Sequence, residues 1–262
     1  IMLICIGCSW TYGNEIPETD CFNYAYPVHL GKLLNKKVIN LGMPGGSNEN
    51  HLVNFITYIA NNEIPKDTVA VFQTTEFVRK LGFKQSSLTN YFRGKLVKAS
   101  EWVDRENYWL SLHTGAPDDK RYKEFGLSWK NYIINQMCDE ELVHRNFLQF
   151  YKFQLICKGL GIKHFIKPGW IHPAHAVRHK IESRKLLNIT NGMDWNSISE
   201  IPMIQHIFDE TGYNYKEHFD WGNMQGPKPK KFKDHVKDYM HFFHPTKKGH
   251  ELIAKHMYKE IT

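Results

Sequence analysis

Residues 2–13 read MLICIGCSWTYG. The first six form a continuous apolar run, the pattern of a strand covered on both faces. Such a strand belongs in a parallel sheet with helices on either side. Directly after it, GCSWTYG (7–13) sets Ser9 among small residues and ahead of a glycine. A serine there is either a nucleophile at the carboxyl end of a strand or a residue of a tight turn. Its immediate neighbours leave both readings open.

Working outward, AYPVHLGKLLN (25–35) places Val28, Leu30, Leu33 and Leu34 near helical spacing, and KVINLG (37–42) reads as a second strand. NENHLVNFITYIANN (48–62) reads as a helix capped by Asn48 or Asn50, and DTVAVFQ (67–73) as a third strand. Strand and helix alternating this way imply right-handed crossovers and a parallel sheet. One or two helices within 131–158 precede a fourth strand, GIKHFIKPG (161–169). TKKGHELIAKHMYKEI (246–261) closes the chain as a helix capped by Thr246, with Leu252, Ile253, Met257 and Ile261 inward. Two stretches lack this order. Residues 80–130 hold Tyr91, Trp102, Tyr108, Trp109, Tyr122 and Trp129 but no long periodic segment, and residues 174–237 are irregular and basic. The expected architecture is one α/β domain over residues 1–262. It is a flavodoxin-like three-layer α/β/α sandwich around a central parallel sheet, with irregular insertions at about 80–130 and 174–237.

At 262 residues, 42% hydrophobic and 23% charged, the chain has an ordinary globular composition and can bury one sizeable core. No apolar stretch approaches the roughly 20 residues of a membrane helix. The opening IMLICIG has no basic leader and is short for a signal sequence, so no membrane partner and a cytoplasmic setting are expected. The five cysteines (Cys5, Cys8, Cys21, Cys138, Cys157) are irregularly spaced without a CxxC pair, which favours reduced thiols. A sequon at Asn188 carries little weight. The net charge of +7 concentrates in GPKPKKFKDHVKD (226–238), read as a solvated lysine face. No nucleic-acid motif accompanies it, so no nucleic-acid partner is expected. Oligomeric state is not legible.

Ligands of open parallel sheets sit outside the carboxyl ends of the strands. Ser9 follows the first strand, GMPGGSN (42–48) the second and QTTEFVR (73–79) the third, while HFFHPTKKGH (241–250) returns histidines to the same edge. A hydroxyl, an imidazole and close-approach glycines are the parts acyl transfer needs. On these residues the chain resembles the SGNH (GDSL-like) hydrolase superfamily of esterases, lipases and carbohydrate deacetylases. GCSWTYG is similar to that family's Gly-Asp-Ser-x-(Ser/Thr)-x-Gly block, YPVHLGKLLNKKVINLGMPGGS to its first helix, second strand and second block, and HPTKKGHELIA to its final block. The likeness covers roughly 1–79 and 238–261, with a strand at 161–167. It implies the SGNH hydrolase fold, Ser9 as nucleophile, His244 as general base, and the Ser9 and Gly45 N–H groups as oxyanion donors. No cofactor is implied.

Three departures stand out. The family's Asp beside the nucleophile is Cys8, either a small side chain under the turn or a second nucleophile. The third block reads Gln73-Thr74-Thr75-Glu76, so its oxyanion asparagine is absent, and Thr75 or, less favoured, Thr74 would supply a hydroxyl instead. The Asp expected three residues before the catalytic His is His241, so the orienting acid is either missing, leaving a Ser-His dyad, or supplied by Asp238. His241 is an orienting or substrate-contacting residue, or simply packs in its loop. Arg79 reads as a structural ion pair. The expected activity is serine ester hydrolysis through an acyl-enzyme, with a short acyl group on a carbohydrate as the guessed substrate. Substrate-binding residues are not legible. Two alternatives differ in class: a catalytically degenerate glycan binder, and a metal-dependent hydrolase drawing on His172, His175, His179, His235, His241, His244 and His250. The His-x2-His-x3-His pattern lacks a nearby carboxylate or cysteine, so no metal is expected.

Overall fold

A computed structural model describes residues 2–14, 16, 21–75, 80–83, 109–112, 139–169, 192–212, 234–241 and 244–262. The apolar run opening the chain is strand β1 (Met2–Gly7), buried at every position. It pairs in parallel with β2 (Lys37–Gly42) on one side and β3 (Val69–Thr74) on the other. β3, equally buried, pairs in parallel with the fourth expected strand (Lys163–Pro168, β6 below), giving the order β2-β1-β3-β6. β2 is an edge strand and is only partly covered, which accounts for its opening lysine.

Alternation along the central strands sorts the core into two layers. Leu3, Cys5, Val69 and Val71 face one helical layer, and Ile4, Ile6, Ala70 and Phe72 face the other. The first layer holds α2 (Tyr26–Leu34) and the C-terminal helix, and the second holds α3 (Asn48–Asn61) and α4 (Asp139–Gly159). Phe55, Phe72, Phe150 and Phe153 stack in the second layer with ring centroids 5.0–5.7 Å apart. This is a three-layer α/β/α sandwich.

The two stretches without sequence periodicity are partly described. In the first, β4 (Lys80–Phe83) and β5 (Trp109–Leu112) form an antiparallel pair. After β6 (Lys163–Pro168), the stretch read as irregular contains α5 (Met203–Thr211). Its Met203, Ile204, Ile207 and Phe208 are buried in the first layer, so this part of 174–237 is core rather than insertion. α6 (Asp234–Lys237), the short antiparallel pair β7 (Met240–His241) and β8 (His244–Pro245), and α7 (Lys247–Ile261) complete the described chain. Thr246 caps α7 as expected, accepting the Gly249 N–H at 3.3 Å. The cap of α3 differs from expectation. Ser47, not Asn48 or Asn50, is the N-cap, and Asn50 completes a reciprocal capping box with it. Cys5, Cys8, Cys21 and Cys157 are free thiols, and burial pushes those of Cys5 and Cys157 far up. Cys138 lies outside the described residues. Among the described residues no helix is long and apolar enough to cross a membrane.

Candidate active site

β1 ends at Gly7, and the chain turns at once into a one-turn helix, α1 (Ser9–Tyr12), with Cys8 as N-cap and Gly13 closing it at φ +91°. Gly7 and Gly42 permit this close approach. A Cβ on Gly42 would strike the backbone of Tyr12, and one on Gly7 would strike Thr11 and Gln73. Ser9 is thereby presented at the carboxyl end of the central strand. From the other end of the chain, β8 delivers His244, whose Nε2 lies 2.8 Å from Ser9 Oγ. Ser9 is 9% exposed and His244 half-buried. The distance lies within hydrogen-bond reach for proton transfer from the hydroxyl to the ring.

Gly45 lies in the turn between β2 and α3 at φ +71°, and a Cβ built on it would meet nothing within 4 Å. The turn therefore borders open space. The N–H groups of Ser9 and Gly45 enter no hydrogen bond among the described residues. Thr75 follows β3. Its N–H donates to Asn48 Oδ1 at 2.9 Å, while Asn48 Nδ2 donates to the Thr75 carbonyl at 3.2 Å and to Asn146 Oδ1 at 2.7 Å. Asn48 is fully buried, and its amide is fully used. It clamps the Thr75 backbone while leaving the hydroxyl without a protein partner among the described residues. Thr74, the other candidate, is buried.

Asp238, the candidate orienting acid, turns to a lysine instead. Asp238 is exposed and its Oδ2 pairs with Nζ of Lys248, the second residue of the closing helix, at 3.1 Å. His241 is exposed on β7, directly across the pair from His244. Cys8 sits beneath the turn at 6% exposure, accepting from Gln73 Nε2 at 3.0 Å, with Ser9 Oγ 3.8 Å from its sulfur. That placement fits the small side chain under the turn. His250 is fully buried with Nδ1 accepting the Tyr26 N–H at 3.2 Å, and burial pushes it down to about 3. No cluster of metal-ligating side chains occurs among the described residues. His172, His175, His179, Arg79 and Glu76 lie outside them.

Two buried amides were missed from sequence. Asn48 resembled a helix cap and instead ties the third strand's exit to α3 and α4. Gln73 looked like a strand residue and makes five hydrogen bonds around the serine turn. Only the position of each, directly at a strand end or the β2–α3 turn, could have pointed to them.

No protein-family model matches the chain, and no curated protein matches it. Among solved structures it is similar to a lipolytic protein of the G-D-S-L family from Desulfitobacterium hafniense DCB-2, at 10% identity and a TM-score of 0.41, covering 99% of this chain and 98% of that one. A member of the lipolytic protein G-D-S-L family from Veillonella parvula DSM 2008 matches at 12% identity and a TM-score of 0.41, covering 98% and 96%. The α/β assignment stands on the strand order and the two packed helical layers.

Proposed function

We propose that the chain is an ester hydrolase of the SGNH type that works through an acyl-enzyme. The observation carrying this reading is the 2.8 Å approach of His244 Nε2 to Ser9 Oγ at the rim of the sheet, between residues 235 positions apart. In the reaction, Ser9 Oγ attacks the ester carbonyl carbon and passes its proton to His244 Nε2. The N–H groups of Ser9 and Gly45, with the Thr75 hydroxyl, hold the negative oxygen of the tetrahedral intermediate. Collapse breaks the bond to the alcohol oxygen, which leaves with the proton from His244. Water then attacks the acyl-enzyme, His244 takes its proton, and the carboxylic acid departs as Ser9 recovers its hydrogen. Asp238 pairs with Lys248 and takes no part in this sequence of steps. A short acyl ester of a carbohydrate is the proposed substrate, and the whole chain is proposed to act as one domain in the cytoplasm without a cofactor.

The test is turnover of p-nitrophenyl acetate by the parent, Ser9→Ala and His244→Ala, with and without a chelator. The parent is expected to hydrolyse the ester, each variant to lose at least about a thousandfold in kcat, and the chelator to have no effect. Activity that survives Ser9→Ala and vanishes with the chelator would replace this reading with a metal enzyme. An inactive parent retained on a glycan column would replace it with a binding protein.

A further inference from the structure

We propose that Gln73 is the positioning residue of the serine turn, an N-cap supplied from a neighbouring strand; the inference rests on the acyl-enzyme reading above. A helix of four residues cannot hold itself, because nucleation fixes several residues for very few bonds. Its first N–H groups also need acceptors from outside. An N-cap side chain ordinarily provides one by accepting from the second or third helical N–H. α1 has Cys8 at that position, and Cys8 makes no side-chain cap bond.

Gln73 takes over the task across 62 to 65 residues of sequence. Its Oε1 accepts the N–H of Cys8 at 3.2 Å, the N–H of Thr11 at 3.2 Å and the hydroxyl of Thr11 at 2.7 Å. Its Nε2 donates to Cys8 Sγ at 3.0 Å and to the Thr74 carbonyl at 3.2 Å. Both N–H hydrogens are used, and the orientation of the amide is fixed by these partners. The bonded residues, Cys8 and Thr11, bracket Ser9 and Trp10. The Ser9 N–H enters none of these bonds, and its Oγ lies 2.8 Å from His244 Nε2.

A slot has been made for this side chain. Gln73 is 1% exposed. A Cβ on Gly7, at the end of β1, would lie 2.5 Å from its Oε1, and one on Gly169, just past β6, would strike its Nε2. The strands on both sides of β3 thus end in glycines exactly where the Gln73 amide needs room. Thr11 continues the network to the buried Tyr26 hydroxyl at 3.0 Å.

The test uses Gln73→Met, which fills the slot but accepts and donates nothing, and Gln73→Glu, which keeps an acceptor. Both are compared with the parent and Ser9→Ala on p-nitrophenyl acetate, with kcat normalised to folded chain by circular dichroism. Gln73→Met is expected to lose about 30-fold or more in kcat with KM changed less than about threefold, and Gln73→Glu to stay within about fivefold of the parent. A Gln73→Met kcat per folded chain within about threefold of the parent overturns the inference, whatever its thermal midpoint. So does a Gln73→Glu variant that folds and is as slow as Gln73→Met. If Gln73→Met does not fold, Thr11→Val decides, since it removes only the 2.7 Å hydroxyl bond to Gln73 and the contact to Tyr26. A loss of about fivefold in kcat at constant KM then supports the inference, and a parental kcat overturns it. A parent without Ser9-dependent turnover defeats the esterase reading and this one with it, whereas an active parent beside a parental Gln73→Met defeats this one alone.

Discussion

Lys167 is a lysine buried to 2% exposure in the strand next to β3, and replacing its counter-charge should unfold the protein more readily than replacing the lysine itself. Its Nζ lies 2.5 Å and 2.8 Å from the two carboxylate oxygens of Glu260 on α7, and 2.9 Å from Ser199 Oγ. The partners gain unequally. Burial lowers the lysine's pKa despite the carboxylate beside it, whereas for Glu260 burial raises the pKa but is outweighed by His206, Lys167 and Ser199, which bring it down to about 2. The net worth of the pair is therefore well below the carboxylate's own gain. Glu260→Gln leaves the ammonium in place with its anion gone, and breaking one side of a buried pair costs about 3 kcal/mol or more. Removing both charges with Lys167→Met and Glu260→Gln together should recover all but about 1 kcal/mol, because no ion is then left unpaired. Urea unfolding at pH 7 of the parent, both single variants and the double variant measures this. The folded-state pKa of Glu260 is depressed, so its contribution is complete above the ordinary glutamate range and lost as pH falls from about 4.5 to about 2. The gap between parent and Glu260→Gln should close over that window. A loss below about 1 kcal/mol for Glu260→Gln at pH 7, or a double variant no more stable than the single, would refute the reasoning.

Thr75→Val should lower kcat on p-nitrophenyl acetate about a hundredfold at nearly constant KM, while Thr75→Ser, keeping the hydroxyl on the Asn48-clamped backbone, should stay within about threefold. Gly45→Ala forces a side chain to adopt the left-handed φ of +71° and should cost about 1–2 kcal/mol in urea unfolding, though its methyl meets open space. His250 is held neutral to about pH 3, below the unfolded value of a histidine, so its contribution is full above about pH 6.5 and is lost as pH falls toward 3. His250→Gln, which cannot charge, should flatten the decline in urea midpoint between pH 7 and pH 4.

The elements of the sheet were legible because each depended on a local pattern. The unbroken apolar runs of β1 and β3 reflect burial on both faces, and their flanking helices carry helical spacing. α5 escaped notice because its nine residues sit within a long basic stretch, where composition hid Met203, Ile204, Ile207 and Phe208. In the candidate site, the strand end marked Ser9, while Gly45 and His244 were singled out by the resemblance of their blocks. Gln73 and Asn48 there, and Lys167 elsewhere in the sheet, were not legible, since their roles come from partners 27 to 98 residues away and a single buried amide or ammonium leaves no periodic trace. Asp238 misled for a related reason: proximity in sequence to His244 does not determine which cation a surface carboxylate will meet, and Lys248 on the next helix turn reaches it first.

The histidines around His244 bear on its proposed role as base. His29 and His244 both bear on the charge of His250, and an imidazolium at His250 would oppose the proton that His244 is proposed to accept from Ser9. The fold removes that opposition through burial. His250 is enclosed in the core with its Nδ1 accepting the first N–H of α2, so the neutral tautomer also serves as a helix cap. His29 is lowered as well, chiefly by its own burial. With both neighbours neutral near pH 7, His244 holds its Nε2 2.8 Å from the Ser9 hydroxyl. Neutral neighbours would leave the imidazolium proposed for His244 free of their repulsion, which favours its acceptance of the serine proton.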